Sequence, residues 1–233
     1  MGSGPLSAPR FTVTWPRIFP KPRPELSQMQ FTPFILGLTG SIGMGKTTAA
    51  GYFSQAGVPV FDADLAVAQL YRNEAAPLIE ETFPGTVRDG AVDHDLLAKR
   101  ALADPSAIRR LEAIVHPLVR IKEATFLRES AGVGLVVLDI PLLFETHGER
   151  RCDAVVVVSA PLVAQRERVL GRPGMTEERF EAILHRQMPD EEKRRRAHFV
   201  IDTSRSHAAA RRQVDDIIRA LAGRPSRRKR IEP

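Results

Sequence analysis

The eight residues GSIGMGKT, at positions 40–47, constrain this chain more than any other stretch. Gly40, Gly45, Lys46 and Thr47 fall on the G-x-x-x-x-G-K-[ST] spacing. Glycines at those places let the backbone curl until successive amide N–H groups converge on phosphate oxygens. The helix that follows adds its N-terminal dipole. The loop from Gly40 through Ser41, Ile42, Gly43, Met44, Gly45, Lys46, Thr47 and Thr48 is therefore expected to bind ATP. Lys46 would reach the β- and γ-phosphates, and the Thr47 hydroxyl would ligate Mg²⁺ directly. The motif has physical meaning only between a buried strand and a helix, and it sits there. FILGL (34–38) is an apolar run leading in, and Gly45 to Ala56 reads as a helix stopped by Gly57.

From residue 34 the chain alternates. VPVF (58–61), LVVLDI (135–140), AVVVVS (154–159) and HFVI (198–201) read as further strands, two of them near-continuous apolar runs of the kind buried on both faces. Helical spacing recurs at LAVAQLY, around 161–170, at EERFEAILHRQ, at DEEKRRRA and at AAARRQVDDIIRAL. About five strands alternating with helices predict an α/β fold, a three-layer parallel sheet of the phosphate-loop NTPase kind with right-handed crossovers. Residues 75–130 contain no convincing strand, and His116-Pro117 is expected to break their helical run before LVRIKEATFL. Asp104 is a candidate N-cap, with Pro105 at the first helical position. Such a stretch between strands predicts an inserted helical subdomain over about 75–130, with a lid over about 172–180.

The net charge of +6 invites a nucleic-acid reading, but its placement argues against one. Residues 1–30 carry +3 and residues 224–233 carry +4, leaving −1 for residues 31–223. A nucleic-acid enzyme would carry its basic stripe on the folded domain. No specific nucleic-acid partner is expected, and 224–233 reads as a basic solvated tail. Residues 1–30 hold six of the eighteen prolines and no periodic pattern, and read as a disordered extension, with Met29 as the expected true start. The longest apolar runs are too short to span a bilayer, so no membrane partner is expected. One cysteine, Cys152, cannot form an internal disulfide, which fits a reducing, cytoplasmic setting. The oligomeric state is left open.

Three carboxylates complete the chemistry. Asp62 and Asp64 end the strand after the loop helix, where parallel sheets open their ligand crevice. A kinase acting on a hydroxyl gains from a carboxylate that accepts the leaving proton. The structural alternative is that one of them caps LAVAQLY. Asp139 ends the strand LVVLD, the usual place for an acid that holds Mg²⁺ through water. No N-K-x-D guanine reader exists, since Asn73 is the sole asparagine. The chain thus suits a small-molecule kinase, with a nucleotide or sugar kinase and a nucleic-acid-binding ATPase as rivals.

Taken together, GLTGSIGMGKTT (37–48), VFDAD (60–64), LEAIVHPLV (111–119), LDIPLLFE (138–145), QRERVLGR (165–172) and RQMPDEEKRRRAHFVID (186–202) resemble the dephospho-coenzyme A kinase family. That resemblance implies a phosphate-loop core, a lid and a helical substrate domain within 31–223, using ATP and dephospho-CoA as substrates. It implies that Asp64 is the base toward the ribose 3′-hydroxyl, with Asp62 beside it on the acceptor. Arg168 and Arg172 would face the ATP phosphates, and His116, Pro141 and Leu142 would border the acceptor. Arg150, Arg151 and Arg166 compete with them as solvated alternatives. Three positions depart from the family pattern: Met44 where Ser is commoner, Asp202-Thr203-Ser204 where D-N-x-G is common, and Ile183 where Arg is common.

Overall fold

The structure is a computed structural model that describes residues 32–102 and 104–226. The expected N-terminal extension (1–30), and residues 227–233 of the basic tail, lie outside the described residues. The chain enters as β1 (Phe34–Thr39), turns through the glycine loop into α1 (Lys46–Gln55) and returns as β2 (Val60–Asp62). A mainly helical block follows, with α2 (Ala63–Leu70), α3 (Ala76–Thr82), the short strands β3 (Val87–Arg88) and β4 (Ala91–Val92), α4 (His94–Leu102) and α5 (Pro105–Glu129). The alternation then resumes through β5 (Leu135–Asp139), β6 (Ala154–Ser159), α6 (Leu162–Leu170), α7 (Glu177–Leu184), α8 (Asp190–Arg196), β7 (Phe199–Asp202) and α9 (His207–Leu221).

Five of these strands form one sheet in the order β2-β5-β1-β6-β7, with every neighbouring pair parallel. Its strand residues divide by pleat. Leu36, Leu38, Val137, Val156 and Val158 join Phe53 of α1 and Val214 and Ile218 of α9 on one side. Their alternates Ile35, Val136 and Leu138 join Phe61, Ala66 and Phe126, while Val155 and Val157 join Leu143 and Phe144. Burial on both faces explains why the strands read as unbroken apolar runs. The result is an α/β sandwich of helices on both sides of a parallel sheet. β1 lies between β5 and β6, so the chain leaves it toward opposite edges, and a crevice opens at the strands' carboxyl ends.

The block between β2 and β5 has its own core, built from Leu70, Ile79, Phe83, Leu97 and Val115 among others. Two expectations fail there. First, α5 does not stop at His116-Pro117. It runs for 25 residues with Pro117 inside it, starting at the expected N-cap, where the Asp104 carboxylate accepts the Ser106 N–H at 2.8 Å. Proline removes one i→i−4 bond, but Val115 is buried, and Leu118 and Val119 pack on the same cores. Tertiary burial outweighs the local penalty.

Second, the block contains an antiparallel hairpin, with Val87 opposite Val92 and Arg88 opposite Ala91. Its turn is Asp89-Gly90, both at positive φ (49° and 78°). An Asp-Gly pair is the residue choice for a two-residue hairpin turn. The strands are too short to show alternation, which is why the pattern hid them. Glu80 of α3 anchors the hairpin's entry. Its two carboxylate oxygens accept the N–H groups of Gly85 (2.6 Å), Thr86 (3.1 Å) and Val87 (2.8 Å).

Those backbone donors hold the Glu80 carboxyl below its ordinary pKa. A depressed folded pKa contributes stability above the unfolded value, lost as pH falls through the folded one. Glu80→Ala should therefore unfold at lower temperature than wild type at pH 7. The gap should close as pH drops through the carboxylate range, as thermal melts at stepped pH will show.

Candidate active site

The phosphate loop is held from outside. Gln165 of α6 donates its side-chain amide to the Ile42 carbonyl (2.7 Å), and the Gln187 side chain accepts the Ile42 N–H (3.1 Å). The Thr203 hydroxyl donates to the Met44 carbonyl (2.8 Å). Within the loop, the Met44 N–H returns to the Ser41 carbonyl (3.2 Å). Ile42 and Met44, both expected to offer amides to ATP, thus have them engaged within the chain. The N–H groups of Gly43, Gly45, Lys46, Thr47 and Thr48 make no hydrogen bond among the described residues. Gly43 (φ 78°) and Gly45 (φ 90°) occupy the left-handed region that favours glycine. A Cβ on Gly43 would also lie 2.4 Å from Val169.

Met44 has a physical account that the sequence did not provide. Its side chain is 2% exposed and belongs to the main core, and its sulfur accepts the Ala160 N–H at 3.1 Å. The loop is thereby pinned to the end of β6 by a packed, polarizable side chain.

At the carboxyl ends of β1, β2 and β5 the charges gather. Lys46 donates to Asp139 Oδ1 at 2.8 Å. Asp62 and Asp139 are register partners across β2 and β5. Asp139 is 3% exposed, and burial, with a smaller push from the Asp62 and Asp64 charges, raises its carboxyl to about 6 against the pull of Lys46. The expected pair Asp62 and Asp64 divides. Asp62 is the N-cap of α2, accepting the Leu65 N–H at 2.9 Å. Asp64 is exposed in the first turn, and its carboxylate has no hydrogen-bond or ion-pair partner among the described residues. The Thr47 hydroxyl is likewise exposed and without a partner among them.

The arginines separate too. Arg168 forks onto Thr203, with Nη1 3.0 Å from the hydroxyl and Nη2 2.7 Å from the carbonyl, and Nη1 lies 3.4 Å from the Gly43 carbonyl. It therefore braces the loop as well as lining a cleft of about 240 Å³ with Gly45, Thr48, Thr203, Ser206 and His207. Arg151 is bound bidentately by Glu123, and Arg166 pairs with Glu177. Arg172 is exposed, and its guanidinium has no partner among the described residues. His116 is exposed on α5. Pro141 accepts the Thr39 hydroxyl through its carbonyl (2.8 Å), Leu142 is exposed, and Leu143 and Phe144 are core. Sequence reasoning missed Gln165 and Thr203 as braces. Neither matches a spacing, because each meets the loop from more than a hundred residues away.

A family model described as dephospho-CoA kinase matches residues 34–209. The dephospho-CoA kinase of Brucella melitensis is 59% identical over 194 residues, spanning 82% of this chain and 97% of that protein. The Rhodopseudomonas palustris dephospho-CoA kinase is 55% identical over 196 residues, 83% and 98% of the two chains. Among solved structures, TT1252 from Thermus thermophilus superposes with a TM-score of 0.74 at 37% identity, covering 82% of this chain and 99% of that one. The dephospho-CoA kinase from Campylobacter jejuni shares the fold at a TM-score of 0.58 and 23% identity, covering 82% and 98%.

Two outcomes follow from this geometry. The raised Asp139 pKa means that the folded state holds a proton more tightly than the unfolded chain between about pH 4 and 6. The stability it confers is present below about pH 4 and lost as pH rises through 6. Urea titrations of ligand-free protein should show that loss in wild type and a flatter profile in Asp139→Asn. Met44→Ala empties a buried site, so it should cost about 2–5 kcal/mol of stability in the same titration at pH 7.

Proposed function

The chain belongs to the dephospho-CoA kinase family, and from that premise we propose how its residues divide the work. It is a kinase that transfers a phosphoryl group from ATP to dephospho-CoA, the step that yields coenzyme A. The observation that carries the division of roles is the cluster at the strand ends. There Lys46 meets Asp139 within reach of the Asp62 and Asp64 charges, beside a loop in which five amides have no partner among the described residues.

On this reading the free amides and Lys46 cradle the ATP phosphates, and the cleft beside Arg168, Thr203 and His207 takes the nucleoside end. Phosphoryl transfer needs little covalent work and much positive charge around the moving group. Lys46 supplies that charge once it exchanges Asp139 for phosphate oxygens. Arg172, with no partner among the described residues, would add to it when the lid segment closes. Closure also excludes water as a competing acceptor.

Asp64 accepts the proton of the ribose 3′-hydroxyl. Asp62 cannot do this equally well, because its carboxylate is already committed to the Leu65 N–H. The helical block carrying His116, together with the segment from Pro141 to Leu142, forms the acceptor side. The donor set fits Mg²⁺: the Thr47 hydroxyl has no partner among the described residues, and the Asp139 carboxyl is raised by burial and, to a lesser degree, by the Asp62 and Asp64 charges. Thr47 would hold the ion directly and Asp139 through water. When bound it supplies charge neutralisation at the phosphate oxygens. No helix among the described residues is long and apolar enough to cross a membrane.

A coupled assay offering dephospho-CoA, adenosine, AMP and gluconate tests the acceptor. Dephospho-CoA should be turned over fastest by a wide margin, and equal rates with another acceptor would refute the reading. In the same assay Asp64→Asn should lower kcat by about 10²–10⁴-fold, the range of a lost general base. Its ATP affinity, measured by calorimetry, should match wild type. Near-normal turnover would remove Asp64 from the role of base.

A further inference from the structure

Lys193 is the one lysine of α8, in a run of charged residues, yet its side chain has no exposure to solvent. Its Nζ lies 2.9 Å from Glu145 Oε1 and makes no aligned hydrogen bond among the described residues. Burying an ammonium is costly. A buried ion pair of this kind is seldom more stabilising than a well-packed apolar pair of the same volume. Stability alone therefore does not account for Lys193.

Its connections do. Glu145 Oε1, which meets Lys193, also accepts the Met188 N–H at 2.8 Å. The residue before Met188 is Gln187, whose side chain accepts the Ile42 N–H of the phosphate loop. Glu145 ends the short segment that starts at Asp139, and Asp139 holds Lys46 of the same loop. Asp190, one turn before Lys193, accepts the Ser159 hydroxyl at 2.7 Å and fixes the start of α8 to the end of β6. The links close a ring: Ile42 to Gln187, Met188 to Glu145, the 139–145 segment back to Asp139, and Lys46 back to the loop. Pro141 and Leu142 of the acceptor side lie within that ring.

We propose that Lys193 and Glu145 are positioning residues that set Gln187 against the phosphate loop and so tie ATP binding to the acceptor-side segment. Neither touches a reacting atom. Lys193 fixes the Glu145 carboxylate, Glu145 fixes the Met188 backbone, and Gln187 fixes the Ile42 amide and with it the curl of the loop. The proposal rests on the kinase reading above, and its test reads ATP binding without acceptor, so that the two can fail separately.

Mg·ATP is titrated calorimetrically into full-length wild type, Lys193→Met, Gln187→Ala and the double variant, each with a thermal melt. In a serial link, each single variant weakens ATP affinity by about tenfold, and the double variant is no weaker than either single. A purely structural Lys193 gives a different pattern. Lys193→Met then melts earlier but binds ATP as wild type does, or its loss multiplies with that of Gln187→Ala. Either result overturns the proposal. Should Lys193→Met fail to fold, Glu145→Gln with Lys193→Met removes both charges at nearly constant volume. That pair should still bind ATP more weakly than wild type, without further loss on adding Gln187→Ala, and wild-type affinity there also overturns the proposal.

Discussion

A phosphate loop has to leave several backbone N–H groups without intrachain partners while keeping one shape. Most buried backbone donors in proteins are paired, and an unpaired one is costly. The loop of this chain cannot be held by its own backbone bonds without consuming the donors it needs. It is held instead by side chains from three later elements. Gln165 takes the Ile42 carbonyl, Gln187 the Ile42 amide and Thr203 the Met44 carbonyl, while Met44 anchors in the core below. The N–H groups of Gly43, Gly45, Lys46, Thr47 and Thr48 are left without partners among the described residues. The arrangement of α6, the segment before α8 and the turn after β7 around β1 follows from this one requirement.

Charge obeys a similar logic. Asp62 and Asp139 stand side by side because parallel strands end together at the crevice, and the Asp64 charge, two residues on, also bears on Asp139. Their mutual repulsion and the burial of Asp139 would be poorly offset if Lys46 were not 2.8 Å away. Lys46 thus holds a buried carboxylate. On the proposed reading, phosphate oxygens would offer Lys46 a second set of partners, and a divalent cation would offer Asp139 one.

Much of this was readable before any coordinates. The five parallel strands, the loop between β1 and α1, the Asp104 cap and the strand-end positions of Asp62 and Asp139 all follow from apolar runs and local residue chemistry. Such signals are contained within a dozen residues. What failed was decided elsewhere. Pro117 reads as a break because its local effect is a break, and only the packing of Val115, Leu118 and Val119 keeps α5 continuous. The β3–β4 hairpin was hidden because two-residue strands show no alternation, though Asp89-Gly90 was there to be read as its turn. The roles of Gln165, Thr203 and Met44 depend on partners far away in sequence. Met44 looked like a departure on a polar loop and is a core residue.

The pair Asp62 and Asp64 shows how a local rule and a distant one divide neighbouring residues. Both are short acids at the start of a helix, and either could cap it. A cap must sit at the last extended residue, where its side chain can reach back to the third helical N–H. Asp62 has that backbone, with φ −95° and ψ 109°, and takes the Leu65 N–H. Asp64, two residues on, has helical geometry and cannot make the same bond. Its carboxylate is therefore left for solvent or for an acceptor hydroxyl, near the same strand ends that hold Lys46. One carboxylate cannot occupy both geometries, so on the proposed reading the D-A-D spacing supplies one residue for the cap and one for the base.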